Sequence, residues 1–320
     1  MDERDGFIWL DGALVPWREA RIHVLSHGLH YASAVFEGER VYGGRVFELA
    51  AHGRRLLRSC AIMDMECPYG APALDQAALA VVGANGIEDG YLRRIAWRGS
   101  EQLGVAARAT RTHVAIAAWP WPRHFSGAPE GLRLAFGEWR RPAPETAPVL
   151  AKASCLYAIG TLAKHAAERA GCDDALLLDW RGRVAEATGA NIFFMQEGAL
   201  HTPVPDAFLD GITRQTVIGL ARARGIEVVE HVIMPDELAT FEACFVTGSA
   251  AEVAPVQQIG PHDFAPSPMV RQLVDDYAAL VRQPAAEMAQ PAAWRPPPCA
   301  SYVALPDAAV GNESLTSDRP

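Results

Sequence analysis

Lysine is nearly absent from this chain. Of its 29 Lys plus Arg residues, only Lys152 and Lys164 are lysines, and the other 27 are arginines. Arginine serves as a surface cation but cannot lose its proton at any working pH, whereas Schiff-base chemistry requires a primary amine that can. Chemistry of that kind therefore falls on one of two positions. Lys164 lies within residues 161–169 with Glu168 four residues on, the spacing of an exposed helical ion pair. Lys152 lies in Thr146-Ala147-Pro148-Val149-Leu150-Ala151-Lys152-Ala153-Ser154, among small apolar neighbours and without a nearby carboxylate. Taken alone, that segment fits a stray surface lysine as well as a reactive one.

Other residues offer partners for such an amine. Glu186 sits among small uncharged residues in Val184-Ala185-Glu186-Ala187-Thr188-Gly189-Ala190-Asn191. A carboxylate there either caps a turn or faces a cation. Beside a Schiff-base lysine, one fitting cation is a protonated pyridine nitrogen, which a carboxylate would keep as an electron sink. Asp210-Gly211-Ile212-Thr213 directly precedes a helical pattern, so free N–H groups at the helix start would favour an anion such as a phosphate; an ordinary helix cap has the same sequence. Thr247-Gly248-Ser249-Ala250, at the end of an apolar run, offers small residues and hydroxyls to a second face of an oxyanion, or makes a plain turn. His23, His27 and His30 have helical spacing, but lack an acidic ligand and fall on an extended segment, Ile22–Leu25, followed by a turn. A core or loop role is expected for them, and no metal site.

The elements that would position these residues are legible from periodicity and turn chemistry. Hairpins are expected at 7–16 around Asp11-Gly12, at 40–47 around Gly43-Gly44, at 174–186 around Arg181-Gly182 and at 191–202 around Glu197-Gly198. Further strands are expected at 91–97, 113–119, 132–139, 226–233 and 243–247. Helices are expected at 49–63, 72–84, 154–170, 213–224 and 268–282. In the strand at 91–97, Tyr91, Arg93, Ile95 and Trp97 share one face. Hairpins outnumber strand–helix–strand units, so the fold class is α+β with largely antiparallel sheets. The expected organisation is a small N-terminal α/β domain, 1–126, a larger C-terminal domain, 127–282, and an Ala/Pro-rich tail, 283–320, expected to be disordered or to carry a partner-binding segment.

Bulk composition narrows the function. A net charge of −9 argues against nucleic acid or an anionic membrane as the main partner. No apolar run approaches the roughly 20 residues of a spanning helix, and the acidic start carries no secretory pattern. Six scattered cysteines without a Cys-x-x-Cys pair fit a reducing cytoplasm.

Taken together, the motifs resemble those of a known family. Ser26-His27-Gly28-Leu29-His30-Tyr31, Val35-Phe36-Glu37-Gly38-Glu39-Arg40-Val41-Tyr42, Arg54-Arg55-Leu56, Tyr91-Leu92-Arg93 and Ala118-Trp119-Pro120-Trp121 lie in the first half. Lys152-Ala153-Ser154-Cys155-Leu156-Tyr157, Glu186-Ala187-Thr188-Gly189-Ala190-Asn191, Leu209-Asp210-Gly211-Ile212-Thr213-Arg214 and Thr247-Gly248-Ser249-Ala250-Ala251-Glu252 lie in the second. From Phe7 to Val281 the chain resembles the branched-chain aminotransferases, class IV, fold-type IV enzymes dependent on pyridoxal 5'-phosphate. The resemblance implies two α/β domains with the cofactor between them, and exchange of an amino group between L-leucine, isoleucine or valine and 2-oxoglutarate. It makes Lys152 the Schiff-base and proton-carrying residue, pairs Glu186 with the ring nitrogen and Tyr157 with the ring oxygen, and gives the phosphate to Arg55, Ile212, Thr213 and Ser249. Gly211, Thr247 and Gly248 complete the cofactor set. Tyr31, Phe36, Gly38, Arg40, Tyr91, Arg93, Trp121 and Ala250 are implied to bind substrate, with Gly38 leaving room for its side chain and Arg93 preferred over Arg40 for the second carboxylate of glutamate. The expected partners are amino acids, 2-oxo acids and further copies of the chain, as a homodimer or larger homo-oligomer.

Three features depart from the family pattern: Arg94 in place of a proline, His124 in place of a tyrosine, and Ser154-Cys155 in place of an Ala/Gly pair. They leave the preferred amino acid open. Rival readings are a D-amino-acid or (R)-amine transaminase, an aminodeoxychorismate lyase, a cofactor-free Schiff-base aldolase, and a non-catalytic binding protein.

Overall fold

A computed structural model describes residues 3–121 and 131–283. The expected break between 126 and 127, His124 and nearly all of the tail lie outside the described residues. In the first half, β1 (Phe7–Leu10) and β2 (Ala13–Pro16) form the expected hairpin, with positive φ at both Asp11 and Gly12 as a tight strand-matching turn requires. A short helix α1 (His27–Tyr31) leads into β3 (Ala34–Tyr42) and β4 (Arg45–Val46). Helices α2 (Leu49–Ile62) and α3 (Ala71–Ala84) follow, then β5 (Gly90–Arg98) and β6 (Thr112–Pro120). These strands form one antiparallel sheet in the order β2-β1-β6-β5-β3-β4. Leu56 and Cys60 of α2 and Leu74, Ala78 and Val81 of α3 pack on Val35, Val41, Leu92 and Ile116 of that sheet. The extended run expected at Ile22–Leu25 and the turn expected after it are corrected: no strand forms at 22–25, where the chain approaches as turn and loop, and His27 and Gly28 open α1 with Ser26 at its N-cap.

The second half holds β7 (Leu132–Phe136), α4 (Tyr157–Arg169), β8 (Asp174–Leu178), β9 (Val184–Ala187), β10 (Asn191–Gln196), β11 (Ala199–Pro203) and α5 (Ile212–Ala223). It continues with β12 (Val228–His231), β13 (Ala243–Gly248), β14 (Glu252–Ile259), β15 (His262–Asp263) and α6 (Pro268–Leu280). Its sheet runs β12-β11-β10-β13-β14-β7-β8-β9, with β15 beside β14. Pairing is antiparallel except for β11 with β12, β14 with β7 and β7 with β8. Both sheets are thus largely antiparallel, as the density of hairpin signals implies.

β3 is the strand on which the two halves meet. Successive side chains of a strand point to opposite faces. Phe36, Gly38, Arg40 and Tyr42 face the second half, whereas Glu37 and Glu39 point back beneath α2 and α3, where both are fully buried. Each finds a cation. Glu37 accepts two hydrogen bonds from Arg55, Nε to Oε1 and Nη2 to Oε2, both 2.7 Å, and a third from His52 Nδ1 at 2.7 Å. Burial alone would raise the Glu37 carboxyl, but the Arg55 guanidinium and the His52 bond hold it well below the usual carboxylate range. Glu39 meets Arg94, with Nε to Oε1 at 2.8 Å, and Arg94 reaches on to Asp75 of α3, also at 2.8 Å. Burial pushes the Glu39 carboxyl up to about 8 against the pull of Arg94. Arg94 is therefore accommodated on the reverse face of β5 from Tyr91 and Arg93. Gly53 on α2 leaves it space, since a Cβ there would stand 2.7 Å from Asp75 Oδ1 and 3.1 Å from Arg94 Nη1.

This buried layer sets a pH dependence. Burial drives the His52 pKa from 6.5 down to about 4, with Glu37 opposing. Between those values the unfolded chain binds a proton that the folded chain refuses, so stability falls as pH drops through that window. The lowered Glu37 carboxyl extends the loss below pH 4.5. The Glu39 carboxyl, raised to about 8, works in the opposite direction between pH 8 and pH 4.5, so the His52 contribution shows as a difference: His52→Asn should make the slope of the urea midpoint against pH less positive than in the unsubstituted protein between pH 6.5 and pH 4.5. An unchanged slope in that variant would exclude His52 as its source.

Candidate active site

The cleft between the halves gathers residues far apart in sequence. Lys152 is held by its own backbone. Its N–H donates to Ser59 Oγ of α2 at 3.0 Å, its carbonyl accepts the Phe36 N–H of β3 at 3.1 Å, and the next residue, Ala153, pairs with Val35. The segment from the second half thereby becomes a short extra partner for β3. Its side chain reaches into the cleft, where Nζ donates to the Tyr157 hydroxyl at 2.8 Å and lies 5.0 Å from the centre of the Phe36 ring. Tyr157 is the first residue of α4, and its ring packs 4.7 Å from Phe36. Lys164, in contrast, sits on α4 within 3.3 Å of Glu168, the helical ion pair its spacing implies.

Glu186 lies on β9 and lines the same cleft. Its Oε1 is 3.3 Å from Arg141 Nε, and Asn191 Nδ2 approaches Oε2 at 3.5 Å. Burial raises its carboxyl, and Arg141 and Lys152 only partly counter that. Such a carboxylate is undercompensated, and a further cation in the cleft would favour its ionised form. Asn191 also donates to the Leu209 carbonyl at 2.9 Å and accepts the Gly211 N–H at 3.1 Å, tying Glu186 to the start of α5. A Cβ on Gly211 would stand 2.2 Å from Asn191 Oδ1, so glycine is required there by close approach. Neither Arg141 nor Asn191 is singled out by sequence reading. Arg141 is one arginine among 27, and its role depends on a chain reversal that brings it beside β9.

An anion cradle closes the other end. Gly211 precedes α5, and Ile212 and Thr213, its first two residues, line the cleft, where the helix start directs N–H groups outward. Arg214, fully buried, fixes that start by bonding Asp210 at 2.9 Å and Glu230 at 2.7 Å. Opposite lie Thr247, Gly248, Ser249 and Ala250. The Thr247 hydroxyl is buried without a hydrogen-bond partner among the described residues, an orphan that a bound anion would satisfy. Arg55 also lines the cleft; Glu37 occupies its Nε and Nη2, which leaves Nη1 for a ligand.

The remaining wall comes from β3 and β5. Gly38 pairs with Arg93, and Arg40 with Tyr91. The Arg93 guanidinium lies 4.6 Å from the Phe36 ring centre and 5.5 Å from that of Tyr91, and its Nε is buried without a hydrogen-bond partner among the described residues. Trp121 packs 4.9 Å from Tyr91, and its carbonyl accepts from Arg40 at 3.1 Å. The space beside Gly38 is filled by Tyr91, because a Cβ would stand 1.8 Å from the Tyr91 hydroxyl. Gly38 thus makes room for a wall residue in this structure. Of the expected substrate residues, Gly38, Tyr91 and Ala250 line the cleft itself, whereas Phe36, Arg40, Arg93 and Trp121 adjoin it through the contacts above; Tyr31 stands apart, 44% exposed on α1 with its ring packed on His27 at 4.5 Å. A larger open hollow of about 970 Å³, lined by Asp64, Tyr69, Arg98, Arg111 and His113 among others, contains none of the expected site residues.

Comparison with known proteins accords with this geometry. The family model described as amino-transferase class IV matches residues 34–259. A probable branched-chain-amino-acid aminotransferase of Rickettsia felis is 40% identical over 281 residues, which is 86% of this chain and 96% of the relative. The branched-chain-amino-acid aminotransferase of Pseudomonas aeruginosa is 40% identical over 265 residues, 81% of this chain and 86% of that protein. Among solved structures, the branched-chain aminotransferase of the thermophilic archaeon Thermoproteus uzoniensis with norvaline superposes with a TM-score of 0.84 at 37% identity, covering 87% of this chain and 95% of that one. A T.th. branched-chain amino acid aminotransferase complexed with N-(5'-phosphopyridoxyl)-L-glutamate gives the same TM-score and identity, over 88% of this chain and 96% of that one. With Lys152, Glu186, the start of α5 and the Thr247–Ala250 turn gathered in one cleft and its relatives matched over nearly their whole length, this chain belongs to the class IV aminotransferases, among the branched-chain-amino-acid aminotransferases.

Proposed function

We propose that the chain is a pyridoxal 5'-phosphate-dependent transaminase that moves an amino group between L-branched-chain amino acids and 2-oxoglutarate. The observation that carries this reading is the convergence on one cleft of Lys152 Nζ, the undercompensated Glu186 carboxyl and the orphan Thr247 hydroxyl beside the α5 start. These three features match an aldehyde, a ring nitrogen and a phosphate. Related structures carry a phosphopyridoxyl-glutamate adduct, 4-methylvaleric acid and norvaline, which supports a pocket that accepts both a dicarboxylate and aliphatic chains.

When bound, the cofactor supplies an aldehyde for the amino group and a protonated ring that withdraws electrons from the substrate Cα. Lys152 would supply the amine that holds the cofactor and would take up and return the Cα proton at Nζ, with the Tyr157 hydroxyl holding Nζ in place. Glu186, braced by Arg141 and Asn191, would hold the ring nitrogen in its protonated form. Arg55, Ile212, Thr213 and Ser249 hold the phosphate, within a turn shaped by Gly211, Thr247 and Gly248. Phe36, Tyr91 and Trp121 receive an aliphatic side chain, with Gly38, Arg40 and Ala250 beside them. Arg93, whose Nε has no partner among the described residues, receives the second carboxylate of glutamate.

A second copy of the chain completes the assembly. Ile22, Val24, Leu25, Leu29 and Tyr31 are exposed on and just before α1, and the His27 N–H to Gly99 carbonyl bond of 2.8 Å ties this segment to the loop after β5, which exposes Leu103 and Val105. An apolar surface of this kind marks an interface. Tyr31 belongs to it, so its implied substrate role places it at the cleft of the neighbouring subunit. None of the described helices is long and apolar enough to cross a membrane, and the free described thiols suit a reducing cytoplasm.

Two outcomes are expected. Without 2-oxoglutarate, the PLP-loaded protein and Lys164→Ala should each convert about one L-leucine per subunit to its 2-oxo acid, as half of a ping-pong cycle requires, and Lys152→Ala should convert none. Turnover by Lys152→Ala, or reaction with D-alanine alone, would sink the reading. Light scattering should give a dimer or larger species, and Leu29→Glu should shift it toward monomer. A wild-type monomer at working concentration would contradict the shared interface.

A further inference from the structure

We propose that Glu252, acting through Tyr42, is a positioning residue that holds both sides of the anion cradle in register; this rests on the assignment of that cradle to the cofactor phosphate. β13 ends at Gly248 and β14 begins at Glu252, and these two residues pair, so Ser249, Ala250 and Ala251 form a three-residue hairpin loop on the cleft. Glu252, the first residue after that loop, adopts the left-handed region, where glycine is favoured, with φ +56. Six described residues other than glycine have positive φ, and Glu252 is the buried one among them. A locally costly residue kept at a buried position implies work for its side chain.

That work is visible in its contacts. Glu252 Oε1 accepts the Tyr42 hydroxyl at 2.7 Å. Tyr42 is the last residue of β3, on the face that carries Gly38 and Arg40, and it is 1% exposed. Tyr277 of α6 packs in one buried cluster with Tyr42 of β3, Val253 of β14, and Val217 and Ile218 of α5. Burial raises the Tyr277 hydroxyl, with Thr213 at the start of α5 and Tyr42 opposing. The Glu252–Tyr42 bond is therefore set in a buried cluster that runs from the end of the 249–251 loop, across the strand shared by both halves, to α5. The loop and the α5 start are the two opposed sides of the cradle, and this cluster packs against both elements.

The test compares affinity for pyridoxal 5'-phosphate with affinity for pyridoxal, which lacks only the phosphate, by absorbance titration of the apoenzyme. Tyr42→Phe removes one hydroxyl. Glu252→Gly removes the carboxylate while relieving the backbone. Each should weaken pyridoxal 5'-phosphate by about tenfold, on the scale of a hydrogen bond to a charged group, and leave pyridoxal within about twofold. Glu252→Gln, which keeps an acceptor, should recover most of the loss. Parallel loss of both ligands, or loss of neither, in Tyr42→Phe and Glu252→Gly would overturn the proposal, and Tyr42→Phe decides it alone if Glu252→Gly does not fold. Ser249→Ala and Thr213→Val separate the two levels. If they lose pyridoxal 5'-phosphate selectively while Tyr42→Phe and Glu252→Gly do not, the inference fails and the cradle stands. If they too lose nothing, the cradle assignment fails and takes the inference with it.

Discussion

The short pairing between Lys152-Ala153 and Val35-Phe36 is the constraint on which the rest of the site depends. A lysine side chain has four rotatable bonds and is among the most costly to order. Here the backbone that carries it is fixed on both sides, by β3 and by Ser59 of α2. Tyr157 then needs to restrain only the end of the chain. The same pairing brings Phe36 under Nζ, so that one strand both anchors the reactive amine and forms part of the wall beside it.

β3 can do this because its two faces have separate duties. Its cleft face presents Phe36, Gly38, Arg40 and Tyr42. Its reverse face buries Glu37 and Glu39 in ion pairs with Arg55 and Arg94. Buried pairs of this kind return little net stability, but removing one partner is costly, on the order of 3–5 kcal/mol. Their evident product is geometry. Glu37 grips two of the three guanidinium nitrogens of Arg55 and turns the third toward the cleft, and Arg94 ties β5 to α3 directly behind Arg93. The reverse-face position of Arg94 also explains how an arginine fits there without entering the substrate space.

Much of the architecture was legible because local signals agreed with the tertiary outcome. Asp11-Gly12 and Gly43-Gly44 announced hairpins, Gly171 and Gly225 marked helix ends, and the alternation of Tyr91 and Arg93 correctly put both on one face. Lys152 stood out for a compositional reason, the scarcity of lysine. Other features were illegible for equally physical reasons. Ile22–Leu25 has β-branched, apolar character but no strand to pair with, so propensity lost to context. Asn191 and Arg141 matter through contacts with Glu186 that only the fold creates. The room beside Gly38 was readable as space, but not as space filled by Tyr91. Tyr31 could be named from its motif, yet a single chain gives it no place in the cleft.

The central claim is that Lys152 is the amine to which the cofactor bonds. It is tested most directly by reducing the cofactor-loaded protein with borohydride, digesting it, and locating the phosphopyridoxyl mass by peptide mass spectrometry. The account predicts stoichiometric label on the peptide containing Lys152 and none on that containing Lys164. Label on Lys164, or an unlabelled Lys152 in protein that retains turnover, would contradict it.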